Sequence, residues 1–580
     1  MFYVSPKGND NNPGTIDQPF LTLAKAVEET RKSNAEKKII LESGTYDNTH
    51  VTLDQRDSGL FIGSLNCYKN KPVLRGGIKA TGWQHEGGDL YSLKLPLEVP
   101  TDTRILEING SLKPRTRFPQ TGFAKHLIEY EVIWLSTSGG GFETMPTDAE
   151  RNQLVYDPAD IPADFDWRDT EVSVMHRWDE SLVCVQSHDA ANHKIKFSTL
   201  CGNPPGSFKV QEFVVWNSAY NMAPGHWRVD KTTRTIYYRA LPGESMTNPH
   251  TYLPIHNTII KISDTVKDLK IENLSFSTTV SPLVNIHYHK ANMPNTYGTM
   301  DIPGAIDSTS TLTNCEFTNL DFNNIGGWGI RLNGENSSIN VKKCTVANSG
   351  GGGIRIKNGK DSNVIANEVR NIGLVHYSAI AIYISGCNVC ENIVENAPYT
   401  GISLTDGPGT VMENNQVRKV MQILNDGAGI YATFGDNGIM RGNIVENIPH
   451  TGHPHSQRHG LYIDEQANGW IAEGNITINC TSAFLSHMNY KGGNTIRNNV
   501  FASHEGDVML LLMRCNDHAV AGNTFHAKGA VIFVGNESGI TQFEDNNIYS
   551  ATGKIQQIHV NYDYEWGTPT VMDNPIPLNP

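Results

Sequence analysis

The sequence predicts an all-β fold: a right-handed parallel β-helix of the pectate-lyase-like kind, with an inserted β-sandwich-like domain and an N-terminal capping helix. Three observations predict it. An asparagine-led segment recurs at near-constant spacing through the C-terminal half. Each repeat holds a second short apolar run. Gly/Asn turns separate the runs and leave no room for a crossover helix.

The repeat begins at Asn367, Asn392, Asn415, Asn443, Asn475, Asn499, Asn523 and Asn547, and most successive starts lie within a position or two of one common spacing. Cys315 and Cys344 occupy the same place two repeats and one repeat earlier. The second run reads Gly329-Ile330-Arg331-Leu332, Gly353-Ile354-Arg355-Ile356, then Ile382, Ile402, Ile430 and Leu461 in matching contexts. Strands this short fit one coil of a solenoid, each pairing with the coils above and below, about 4.8 Å apart. Inward aliphatics then form a continuous core, and the asparagines form a hydrogen-bonded ladder at a bend. A sandwich or a propeller would need longer strands or a four-strand blade.

At the N-terminus, Phe20, Leu23, Ala24 and Val27 make one apolar helical face. Such a helix can cover the open end of the solenoid, which otherwise exposes edge strands. Between about Pro96 and Pro254 the repeat disappears and longer alternating runs replace it, such as Glu171–His176, Ser181–Gln186 and Thr235–Arg239. The expected organisation is therefore 1–95 cap and first coils, 96–254 inserted β-rich domain, and 255–580 solenoid carrying the site. The insert is rich in tryptophan (Trp134, Trp167, Trp178, Trp216, Trp227), which suits its core better than a sugar-stacking wall.

Composition narrows the function. The 580 residues carry 60 Asp+Glu against 47 Lys+Arg, a net charge of −13, which argues against a polyanion partner such as nucleic acid. No apolar stretch is long enough to span a membrane. The first residues lack the basic segment and apolar run of a secretory signal, so the expectation is a cytoplasmic protein or one whose signal has been removed. Nine cysteines without framework spacing read as reduced thiols, Cys387 and Cys390 included.

The irregular intervals locate the candidate site. The two longest, from Asn415 to Asn443 and from Asn443 to Asn475, are adjacent, and extra residues in a solenoid coil become surface loops that carry function. They hold Asn425-Asp426-Gly427-Ala428-Gly429-Ile430-Tyr431 and the stretch from His450 to Glu465. With the isoleucines inward, their neighbours point outward. One outward stripe reads Arg331, Arg355, Tyr383, Ser403, Tyr431, Tyr462; a second reads Asn333, Lys357, Ser385, Thr405, Thr433, Asp464, His487. Aromatic, basic and acidic groups in register along one face suit an extended carbohydrate. His453, His455 and His459 read better as a polar loop than as a metal site.

At these residues the chain resembles the β-helical glycoside hydrolases, family 141 foremost and family 120 more distantly. The resemblance rests on Tyr3-Val4-Ser5 with Gly8-Asn9-Asp10, Asp57-Ser58-Gly59, Gly76-Gly77 with Gly82-Trp83, Asn109-Gly110 with Arg117-Phe118-Pro119, and Pro224 to Trp227 with Ile236-Tyr237-Tyr238. Its most specific parts are Asp426 to Tyr431 and His459 to Glu465. It implies hydrolysis of a plant or microbial glycan (α-L-fucosidase, xylanase or a related activity), without a cofactor, by Asp426 and Asp464. In family 120 an acid/base glutamate would fall near His487, and its absence argues against β-xylosidase chemistry.

Glycosidic cleavage uses one carboxyl to protonate the leaving oxygen and another to attack or to activate water. By analogy Asp464 is the nucleophile or base and Asp426 the proton donor. Asp426 precedes its strand by four residues and Asp464 follows its inward leucine by three, so the two converge only if the Gly427–Gly429 segment bends back or a loop curls over. Asp406 is the substitute partner. Arg331, Asp406, Tyr431, His459, Tyr462, Glu465 and His487 are the expected substrate contacts. Two rivals stand beside this reading: a polysaccharide lyase using Arg355 or Lys357 as base on a uronate, and a non-catalytic glycan-binding β-helix.

Overall fold

The computed structural model describes residues 1–33, 36–64, 70–132, 142–283, 301–448, 458–503, 508–535, 539–561 and 570–572. Among these, three long sheets of 14, 14 and 13 strands run the length of the molecule, parallel throughout apart from one terminal antiparallel pair. This is the β-helix read from the repeat. Ile330, Ile354, Ile382, Ile402, Ile430, Leu461 and Phe484 stack in register from coil to coil and are wholly buried.

The asparagine ladder sits at a bend between two of these sheets. Asn367, Asn392, Asn415, Asn443, Asn475 and Asn499 each donate from Nδ2 to Oδ1 of the next rung at 2.9–3.0 Å. Each Oδ1 also accepts the backbone N–H of the rung before it, as from Asn392 to Asn415 at 3.0 Å. The chain can turn so sharply because the residue before each rung lies in the left-handed region: Ala366 at +55°, Glu391 at +59°, Asn414 at +55°, Gly442 at +62°. Side chains other than glycine pay a steric cost of about 1–2 kcal/mol there, which the buried amide network offsets. Cys344 continues the series, its backbone N–H donating to Asn367 Oδ1 at 2.9 Å. The last rung is Asn546, which accepts from Asn523 at 3.0 Å. Asn547, the residue the spacing selects, lies in the following strand, Asn547–Ser550.

The helix Leu23–Lys32 covers one end of the solenoid, packed over Phe2–Val4 and Lys38–Leu41. Thr22 caps it by accepting the N–H of Lys25. Its buried face is Leu23, Ala26, Val27 and Thr30. Ala24, expected on that face, is exposed, because the spacing of three, four and seven from Leu23 selects position 26 instead.

Antiparallel strands outside the solenoid run from Gly77–Ala80 to Thr251–Pro254, so the excursion opens before residue 96. Val73–Arg75 on one side of it stacks directly on Ser275–Ser277 on the other. The insert has two cores of its own. Trp167, Trp178, Trp216 and Trp227 are all buried; Trp134 lies outside the described residues. Its hairpin of Glu171–Met175 and Glu180–Asp189 docks against the solenoid. There Arg104 and Arg115 close on Glu171 at 2.6 and 2.7 Å, and the backbone N–H of Tyr377 donates to Glu180.

Candidate active site

The two enlarged coils contribute neighbouring strands, Gly427–Thr433 and Arg458–Ile463. They pair in parallel, with Tyr431 against Tyr462 and Ala432 against Ile463. Gly429 lets the first strand pack closely on the coil interior: a Cβ there would lie 2.3 Å from Cγ1 of Val445. Asp426 stands immediately before this strand at φ +57°, turning the chain back. Burial pushes the Tyr462 hydroxyl well above the usual phenol range, and the charges of both Asp464 and Asp426 add to this. The Asp464 charge in turn bears on Asp426, so the two carboxyls belong to one neighbourhood.

Neighbouring side chains hold Asp464 from two sides. The Tyr431 hydroxyl donates to Oδ2 at 2.7 Å, and His487 Nδ1 lies 2.9 Å from Oδ1. A partner on each oxygen leaves the carboxyl little orientational freedom. Asp426 has a different setting. Burial pushes its carboxyl above the ordinary range, the nearby Asp464 charge adds to this, and the Arg177 guanidinium opposes it from 3.3 Å. Arg177 also accepts the Asn425 N–H on its backbone oxygen at 2.9 Å, so the insert hairpin grips the turn that carries Asp426. The Tyr399 hydroxyl donates to the Asp426 backbone oxygen at 2.7 Å.

Glu465 forms a third carboxyl beside this pair. Burial, then the charges of Asp464 and Asp426, lift it to about 9, with Arg514 opposing. His459 is buried, its ring edge-on to Tyr462 with centroids 5.1 Å apart. Neither ring nitrogen has a hydrogen-bond partner among the described residues, and burial holds the ring neutral by lowering it to about 3. The Tyr462 ring meets Tyr431 in a T-shaped contact at 5.0 Å.

Asp426, Tyr431, His459, Tyr462, Asp464, Glu465 and His487 thus form one cluster. Two of the expected residues stand apart from it. Asp406 is exposed in a turn at φ +56°, and its backbone engages Thr433 and Ser385. Arg331 lies farther down the solenoid, paired with Asp307 at 2.6 Å. The first outward stripe is in register as read, and in the second Thr405 pairs with Thr433. The residues of the first are buried rather than solvated, except Tyr431, which is half-buried. Arg177 was not legible in the sequence: it belongs to a turn of the insert that only the tertiary fold brings to Asp426. His453 and His455 lie outside the described residues. Among those described, no group of three or more His, Cys, Asp or Glu side chains is disposed to hold a metal ion, and Cys387 and Cys390 are free thiols.

The fold defines the class, a right-handed β-helix. Residues 295–423 match the family model described as "Right handed beta helix region", and residues 409–565 match "Periplasmic copper-binding protein (NosD)". A solved structure titled "Glycoside hydrolase" superposes with TM-score 0.65 at 18% identity, covering 86% of this chain and 96% of that one. A structure of XylC with xylose aligns at TM-score 0.45 and 12% identity, over 94% of this chain and 86% of that one. An uncharacterized protein, YwoF of Bacillus subtilis (strain 168), is 47% identical over 86 residues. That match spans 14% of this chain and 17% of YwoF.

Proposed function

We propose that this protein is a glycoside hydrolase in which Asp426 and Asp464 are the two working carboxyls. The observation that carries the reading is that two adjacent enlarged coils hold them near each other in unlike environments. Asp426 lies against Arg177 at 3.3 Å, and Asp464 between Tyr431 at 2.7 Å and His487 at 2.9 Å. Paired carboxyls with unlike environments divide the acid and base roles. Asp464, fixed by Tyr431 and His487, acts as nucleophile or general base. Asp426, raised by burial and by its neighbour's charge, keeps a proton for the leaving oxygen. The fold match to a solved glycoside hydrolase agrees with this reading.

The test is turnover of a panel of aryl glycosides by the native protein and by Asp426→Asn, Asp464→Asn and Glu465→Gln. Loss of a positioned acid or base costs about 10²–10⁴-fold, so each asparagine variant is expected to lose that much kcat. Activity surviving both asparagine changes would sink the assignment. A loss in Glu465→Gln as deep as that in Asp426→Asn would move the proton donor to Glu465. Release of an ultraviolet-absorbing unsaturated product from a uronate glycan would favour the lyase.

A further inference from the structure

The outward stripe that ends at Tyr431 and Tyr462 begins with a charge imbalance. Asp307, Arg331, Arg355, Tyr383, Ser403, Tyr431 and Tyr462 are coil-to-coil register partners in that order. The ladder therefore holds two arginines and one carboxylate. Asp307 is committed to Arg331 through both oxygens, at 2.6 and 3.1 Å, and to the Gly304 N–H at 2.9 Å. Arg355 has no such partner among the described residues. Its Nε donates to the Asn333 side-chain oxygen, and its guanidinium lies over the Tyr383 ring, 4.6 Å from the centroid. Asp301 acts on it through charge alone, outside ion-pair range.

One end of this guanidinium is idle. Arg355 Nη1 is buried and has no hydrogen-bond partner among the described residues, while the residue as a whole keeps only 7% of its surface exposed. A buried cation without a paired anion is expensive, as is a buried donor without an acceptor. Burial accordingly weakens the hold of Arg355 on its proton, and the neighbouring Arg331 adds to the effect. Tyr383 is itself held in place, its hydroxyl donating to Thr405 Oγ1 at 3.1 Å. A guanidinium steadied by an amide and an aromatic ring, with one nitrogen left over, is the element that recognises a carboxylate.

We infer that Arg355, with Asn333 and Tyr383, forms a subsite for a uronic acid residue of the glycan. Three to four coils separate Arg355 from Tyr431 and Tyr462, roughly 14–19 Å at about 4.8 Å per coil. The uronate thus sits a few sugars away from the bond to be cleaved. This deepens the hydrolase reading by naming a substrate class, an acidic oligosaccharide, and rests on that reading for its placement as a subsite.

Binding rather than turnover tests it. Asp464→Asn protein is titrated calorimetrically with oligosaccharides derived from pectin, glucuronoxylan and alginate, and with the same oligosaccharides after reduction of their carboxyls to alcohols. At least one acidic ligand is expected to bind tenfold or more tighter than its reduced form. Arg355→Gln in the same background is expected to abolish that preference, and Arg355→Lys to restore part of it. Equal binding of every acidic and reduced pair, or a preference that persists in Arg355→Gln, overturns the inference. If Arg355→Gln does not fold, as judged by its melting curve, the reduced-ligand arm decides alone. The two readings fail separately. A carboxylate preference lost in Arg355→Gln, in a native protein that cleaves no glycan, sinks the hydrolase and keeps the subsite. Cleavage of glycans with no such preference does the reverse.

Discussion

At the scale of single residues, the site depends on side chains that hold the carboxyls rather than on the carboxyls alone. A hydrogen bond to a charged acceptor contributes about 1.5–3 kcal/mol, and Tyr431 makes one to Asp464. Tyr431→Phe is therefore expected to lower kcat/KM by about 10- to 100-fold with the fold intact, and steady-state kinetics beside a melting curve would check it. Arg177 acts on the other carboxyl, favouring the charged form of Asp426 against the burial that disfavours it. Removing the guanidinium raises Asp426 further, so Arg177→Gln should move the alkaline limb of the kcat/KM profile to higher pH. A limb that stays put, or moves down, would mean that Asp426 is not the group titrating. Tyr431, Tyr462 and Asp464 were legible because strand alternation alone sets which way they point. Arg177 was not, since no local pattern relates a hairpin turn in the insert to a coil so much farther along the chain.

At the scale of elements, the ladder was legible because every coil must solve the same problem at the same bend. A left-handed residue exposes a buried backbone N–H, and an asparagine amide satisfies it while donating onward. That chemistry tolerates a coil as short as the one from Asn392 to Asn415 and as long as the one from Asn443 to Asn475. The rung therefore survives where the length does not. It also explains the two small misreadings. Asn546 and Asn547 are adjacent asparagines between which spacing cannot choose, and Ala24 and Ala26 are separated by helix phase alone. The ladder makes its own prediction. Asn443→Ala strands the backbone N–H of Asn415, removes one of the two acceptors of its Nδ2, and takes the Asn443 Nδ2 donor away from the Met412 oxygen. At about 1–3 kcal/mol for the buried group left unpaired, with two further hydrogen bonds lost, the cost should reach several kcal/mol. Asn546→Ala, at the half-buried last rung, should cost about 1 kcal/mol. Chemical denaturation of the two variants compares them directly. Equal losses would show that the amides do not act as a connected ladder.

At the scale of the whole molecule, solenoid and insert work as one unit, because the insert's hairpin is bonded to the coils beside the site, through Arg177 to Asn425 and Asp426 and through Glu180 to Tyr377. The repeat disclosed the solenoid and its interruption, but nothing in the sequence disclosed this docking, which relies on polar groups buried in a seam. Glu180 is the most telling of them. It is buried, receives the Tyr377 N–H and the Ser173 hydroxyl, and is pushed up to about 8, chiefly by burial. Asp179 beside it is raised to about 6 for the same reason. A carboxyl raised on folding contributes stability that is complete below its unfolded value of about 4.5 and is lost as pH rises through the folded one. His376, on the solenoid side of the seam and lowered to about 3 by burial, has the opposite sign: its contribution is lost as pH falls below the unfolded value of about 6.5. The window between about pH 6.5 and 8 therefore isolates Glu180 from the histidine. Across it the native protein should lose up to about 1.4 kcal/mol per pH unit more than Glu180→Gln, whose neutral amide cannot titrate. Denaturation midpoints at both ends of the window measure that difference. Amide exchange at Tyr377, corrected for its intrinsic pH dependence, should loosen in the same range in the native protein only. Parallel pH dependences in the two proteins would show that Glu180 is already charged in the seam and that another group holds the insert beside the site.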